Sequence, residues 1–65
     1  MFVEFNGYFN NPIIIKIEEV EAVRADVQLN KVRDDLTIIH MKSGNQYQVR
    51  ENVYNVLKIV ERRKK

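Results

Sequence analysis

The chain holds one histidine, His40, and no cysteine. Its only serine is Ser43. Nucleophilic catalysis needs a nucleophile, a base and a group that orients the base. Ser43 sits in a Gly-containing turn, and His40 lies on the strand leading into it, so the inventory cannot assemble that arrangement. A metal centre needs convergent ligands. The carboxylates Glu18, Glu19 and Glu21 are adjacent, and their spacing sends them in different directions. Asp34 and Asp35 mark the start of the next strand. Gly7 and Gly44 are isolated turn glycines and make no phosphate loop. The sequence therefore points away from an enzyme and calls for no metal and no cofactor.

Binding is better supplied. Arg50 and Gln48 offer hydrogen-bond donors close to Ile38, and Lys31 and Arg33 fall in a polar stretch of the kind that carries binding residues. A guanidinium is a planar fork suited to phosphates and carboxylates. The candidate ligand- or partner-binding set is Leu36, Ile38, His40, Gln48, Arg50, Lys31 and Arg33. The aromatic residues look committed to the core, which argues against a stacking platform for single-stranded nucleic acid.

Size sets the frame for these side chains. Sixty-five residues make one domain. So short a chain buries little surface alone, and without cysteine it has no disulfide staple, so oligomerisation is the expected remedy. The formal charge is +2, but Arg62, Arg63, Lys64 and Lys65 supply four of the eleven basic groups. Residues 1–61 hold seven basic and nine acidic groups, so the body is mildly acidic. This disfavours nucleic acid as a partner. No apolar run approaches a membrane span and no signal peptide is visible, which gives the expectation of a cytoplasmic protein.

The elements follow from periodicity. "MFVEF" reads as a strand, and Asn6-Gly7 as a two-residue type I′ turn with Tyr8 and Phe9 opening the return strand. Pro12 should then break it. Ile13–Ile15 favour strand, and Lys16–Glu19 fit a helical turn with Ile17 and Val20 on one side. Residues 20–27 read as a strand, with a helix as the alternative; the strand puts Val23, Ala25 and Val27 on one face and makes Glu21, Arg24 and Asp26 edge or solvent groups. Residues 28–35 have no clear period and read as a longer connection or as a hairpin with a wide loop. "LTIIHMK" and "QYQVR" form a hairpin. Asn52 can cap a helix, and Val53, Val56, Leu57 and Val60 form its apolar stripe. The tail 62–65 lies at its C-terminus, where cations complement the helix dipole.

Register decides where His40 points. A type I turn at Lys42-Ser43 with Gly44 in a left-handed bulge pairs Ile39 with Tyr47 and Thr37 with Val49. Ile39, Met41, Tyr47 and Val49 then face the helix. His40, Leu36, Ile38, Gln48 and Arg50 take the opposite face, where Leu36 and Ile38 become candidates for a subunit interface. The alternative two-residue loop at Ser43-Gly44 would put His40 on the same face as Tyr47 and Val49. Gly44 favours the first register, because it lies where positive φ is needed.

The order "FNG" (5–7), "NP" (11–12), "KIEEVEAV" (16–23), "TIIHMKSG" (37–44) and "YQVRENVYNVL" (47–57) resembles the FlbD/SwrD-like small bacterial flagellar accessory proteins. Gly7, Pro12, Gly44, Tyr47, Val49 and Glu51 fall on pattern positions. Similarly patterned small phage and prophage proteins bind host factors or sequester signalling nucleotides. The resemblance implies no catalytic residues. The expected fold is α+β: a small antiparallel sheet of three to five strands over residues 1–50, packed on one C-terminal helix over 52–64. The expected function is a non-catalytic, homo-oligomeric module capturing a cellular or host partner or an anionic ligand such as a nucleotide. A flagellar accessory protein acting through protein contacts is the alternative.

Overall fold

Three hairpins and a helix account for the chain. The computed structural model describes the backbone of residues 1–64 and the side chains of residues 1–62. The strands are β1 (Phe2–Asn6), β2 (Pro12–Lys16), β3 (Val20–Gln28), β4 (Lys31–Met41) and β5 (Gln46–Val49). A single 3₁₀ turn, Ile17–Glu19, joins β2 to β3, and helix α1 (Val53–Lys64) ends the order. β1 and β2 form one antiparallel sheet, and β3-β4-β5 form a second. The two meet at a corner, where Gly7 bridges Val49 and the Arg50 N–H donates to the Asn6 carbonyl at 2.7 Å. This is the α+β architecture expected, with the helix packed on the sheets.

The core lies between the sheets and α1. It gathers Phe5, Ile15, Ile17, Val20, Ile39, Val49, Val56 and Val60. Ile17 and Val20 share a side, as the helical-turn reading of 16–19 requires. Asn52 caps α1: its Oδ1 accepts the Tyr54 N–H at 2.8 Å, satisfying a donor that has no partner within the helix. The buried face of α1 is Val56 and Val60, with Ile59 packed beside them. Leu57, expected in the stripe, is exposed, so the helix is rotated to put Ile59 in its place. Thr37 is a polar residue in the interior. Its hydroxyl donates to the Glu51 carbonyl at 2.7 Å, which removes the cost of burying it.

The two glycine turns share one design. At β4–β5, the Gly44 N–H donates to the Met41 carbonyl and the Met41 N–H to the Asn45 carbonyl, both at 2.9 Å. Gly44 has φ 96°, and Ile39 pairs Tyr47, as the bulged register predicts. At β1–β2, the Asn10 N–H donates to the Gly7 carbonyl at 3.0 Å and the Gly7 N–H to the Asn11 carbonyl at 2.7 Å. The left-handed residue here is Asn10, φ 60°, not Gly7. The Asn6-Gly7 two-residue turn is thus replaced by a loop over Tyr8–Asn10, and Tyr8 and Phe9 form no return strand. Gly7 is needed for room: an added Cβ would lie 2.5 Å from Asn11 Oδ1 and 2.8 Å from its carbonyl oxygen. Pro12 does not break the strand. It opens β2 opposite Asn6, at the strand's first position, where a missing N–H is tolerated.

The largest correction concerns residues 28–35. They belong to a hairpin, and its loop is tight, where the sequence reads as a longer connection or a wide loop. Leu29 and Asn30, at φ 51° and 61°, make a two-residue turn, and β4 already begins at Lys31. Two consecutive positive φ values are the signature of the type I′ turn that suits strand twist. The pattern escaped detection because Leu is an unusual occupant of the left-handed region. Partway along, Ala25 pairs Thr37 while Asp26 pairs Arg33, so Asp34, Asp35 and Leu36 are extra residues on β4. This bulge disrupts the period of β4 and adds no residue to β3, whose own bulge is at Glu21, between the pairs Val20↔Met41 and Ala22↔His40.

Candidate functional site

The outer face of the β3-β4-β5 sheet carries most of the candidate residues. Directly paired residues project to the same side. Ala22, His40 and Gln46 form one row, and Arg24, Ile38 and Gln48 the next. Arg50 follows β5 at the same end as Leu36. The structure thus brings Leu36, Ile38, His40, Gln48 and Arg50 to one face, with Arg33 joining them. Lys31 lies at the far end of β4, beside the turn, paired with Gln28. Lys31 and Arg33 are therefore strand residues and not loop residues.

Leu36 and Ile38 are not an open interface. Their exposures are 2% and 9%, so the monomer itself buries them. Polar side chains make this possible. Gln48 on β5 donates to Asp26 Oδ2 on β3 at 2.5 Å, a bond that must cross β4 over the strip holding Leu36 and Ile38. Gln28 donates to the same oxygen at 3.1 Å and accepts from Arg33 Nη1 at 3.3 Å. Arg33 in turn grips Asp35 with both arms of its fork, at 3.0 and 2.9 Å. This hydrogen-bonded pairing holds the Asp35 carboxyl below its ordinary range and raises Arg33.

His40 is half-buried and accepts at Nε2 from Arg24 Nε at 3.0 Å. Arg24 makes this contact through Nε alone. Arg50 is held differently: its Nε donates to the Tyr8 carbonyl at 2.6 Å, and its guanidinium lies 4.7 Å over the Tyr8 ring. Tyr8 packs edge-on against Phe9 at 5.1 Å. Among the described residues, no group of three His, Asp or Glu side chains converges to hold a metal.

Arg24, Asp26, Gln28, Asp35 and Tyr8 complete this face and were not among the candidates. Arg24 and Asp26 carry a readable signal, since both alternate with Val23, Ala25 and Val27. Tyr8 and the Asp35 pairing depend on the Tyr8–Asn10 loop and the bulge, which no local pattern reveals.

A second surface has a different character. Beyond the bulge, the β3–β4 hairpin runs past the core as an arm, within a molecule 34 Å long and 22 by 21 Å across. Asp26, Gln28, Lys31 and Arg33 hold one side. On the other, Val27 pairs Val32, with exposures of 55% and 65%. Leu29 at the tip is 96% exposed. Phe2 and Phe9 are also exposed, so of the three phenylalanines only Phe5 belongs to the core. Arg62 is exposed at the end of α1, and the side chains of the rest of the basic tail lie outside the described residues. No helix is long and apolar enough to cross a membrane among the described residues. Comparison with protein-family models, curated proteins and solved structures finds no match to this chain.

Proposed function

We propose that the chain is a non-catalytic binding and assembly module that works as a homo-oligomer and engages a cellular or host protein through its β3–β4 arm. The observation that carries this is the apolar side of the arm. Val27, Leu29 and Val32 are exposed together: the two valines have only each other across the hairpin, and Leu29 at the tip is 96% exposed. Leu29 also takes a left-handed backbone conformation that asparagine or glycine would adopt more cheaply. Such a residue has a reason to be there when a partner covers it. Protein contact is the mode of action that the resemblance to flagellar accessory proteins implies, and it equally suits a phage protein that captures a host factor.

An anionic ligand such as a nucleotide is the second reading, and Arg50 is the observation in its favour. Its Nε and its π face are committed to Tyr8, which fixes the fork and leaves the Nη groups to a ligand. Native mass spectrometry of the purified chain, before and after incubation with cell extract, tests both readings. Retained protein that is lost on Leu29→Asp, with circular dichroism unchanged, supports the first. Retained small anion lost on Arg50→Ala supports the second. A monomer that retains nothing sinks the proposal.

A further inference from the structure

β3 ends its sheet with an open edge. The two-residue turn closes on the pair Gln28↔Lys31, so the even-numbered residues of β3 exchange hydrogen bonds with β4. The β5 side agrees: Met41 bonds Asn45, which commits the odd residues of β4 to β5 and the even ones, His40 and Ile38, to Ala22 and Arg24. Val23, Ala25 and Val27 therefore direct their N–H and C=O groups away from the sheet. The Val27 N–H is capped by Asp26 Oδ1 at 2.9 Å. Among the described residues, no side chain caps those of Val23 and Ala25. β3 has nine residues and no proline; the bulge beside Ala25 lies wholly on β4, and the one bulge on β3, at Glu21, lies outside the segment Ala22–Gln28. An edge that keeps its alternation from Ala22 to Gln28 is a template for another strand.

We propose that this edge pairs with β3 of a second copy, antiparallel about a two-fold axis at Ala25. The inference rests on the homo-oligomeric part of the function proposed above and names its interface. That register is the self-complementary one. Ala25 pairs with itself and exchanges two backbone bonds. Val23 lies opposite the partner's Val27, which brings an exposed valine beside one already packed on the core. On the outer face, Arg24 lies opposite the partner's Asp26, and the symmetry makes this contact twice. Both groups are ready for it. Arg24 spends only Nε on His40, and among the described residues no carboxylate binds it. Asp26 accepts three hydrogen bonds, and a carboxylate has about four acceptor positions. A register shifted by two residues, with its axis at Val23, would set Arg24 opposite the partner's Ala22 and lose both ion pairs.

Sedimentation or light scattering on four proteins tests the register. The wild type is a dimer at high micromolar concentration. Arg24→Asp sets Asp against Asp, and Asp26→Arg sets Arg against Arg. Each weakens the dimer by about tenfold for each of the two contacts, about 100-fold in Kd. Mixing the two variants restores a one-to-one heterodimer, because each reversed charge then meets its opposite. Circular dichroism reports whether each variant is folded. Ala25→Pro is the independent check, since an edge strand tolerates proline where the N–H faces solvent. It leaves the monomer folded and removes the central pair of bonds. A wild type that stays monomeric overturns both the homo-oligomer reading and this interface. A dimer indifferent to charge reversal and to Ala25→Pro, or a mixture that does not reassociate, leaves the oligomer standing and overturns the β3 edge.

Discussion

β4 is one strand with two regimes. From Leu36 to Ile39 four consecutive residues are buried, although a strand points them alternately to opposite faces. From Lys31 to Asp35 every residue is exposed. Both halves pair with β3, so hydrogen bonding does not separate them. The difference is what lies above and below. The inner face of the first half meets the core that α1 closes, and its outer face lies under the Gln48–Asp26 bond. The second half extends past both. Pairing can thus carry a hairpin well beyond the core that stabilises it, and there apolar residues such as Val32 are available to a partner.

The contrast can be broken at its strong end. Ile39 is fully buried, so Ile39→Ala removes core contacts and leaves a cavity, at a cost of about 2–5 kcal/mol. Val32→Ala, on the same strand, changes stability by less than about 0.5 kcal/mol. Urea unfolding of both proteins measures the gap, and equal losses mean that the arm packs on the core. Next in size is the step across the sheet at the end of β4. Met41→Ala loses about 1–2 kcal/mol, because Met41 is half-buried against the core. His40→Ala loses under about 1 kcal/mol, the worth of one exposed hydrogen bond to Arg24. A larger melting shift for His40 would contradict the observed register.

At the tip the sign reverses. Leu29→Gly relieves a left-handed leucine and forfeits no contact, so it raises stability by about 0.4–1 kcal/mol. A loss of stability on this substitution shows that Leu29 is already covered in solution. The smallest effect belongs to the Arg33–Asp35 pair. The folded state depresses the Asp35 pKa, so its contribution is present above the ordinary aspartate value of 3.8 and fades as pH falls through the lower folded value. Thermal melts of the wild type and Asp35→Asn should differ slightly at neutral pH and converge in acid. A constant difference across that range assigns the effect to packing.

The β4–β5 hairpin was legible because its turn residue and its core face agreed: Gly44 could supply positive φ, and the resulting register made Ile39 and Val49 inward. The Asn52 cap and the strand over 20–27 were legible for the same reason, since local chemistry and apolar period coincide there. The other two turns misled. Gly7 has the residue type of a left-handed turn but serves close packing, while Asn10 takes the left-handed position. Leu29 takes a conformation its type argues against. In the candidate site, the grouping of Leu36, Ile38, His40, Gln48 and Arg50 on one face followed from alternation, but their exposure did not. Burial of that strip depends on a bond between strands far apart in the chain.

By itself the sequence determined the class of fold, the capped C-terminal helix, the register around His40 and the absence of a thiol or a second histidine. These follow from residue type, spacing and inventory, all local quantities. Tertiary structure alone decided that β4 begins at Lys31, that Ile59 displaces Leu57 from the helix face, that Leu36 and Ile38 are covered, and that an arm with an open β3 edge stands clear of the core. Each of these depends on which surface meets which at long range, and on a bulge whose extra residues no local period records.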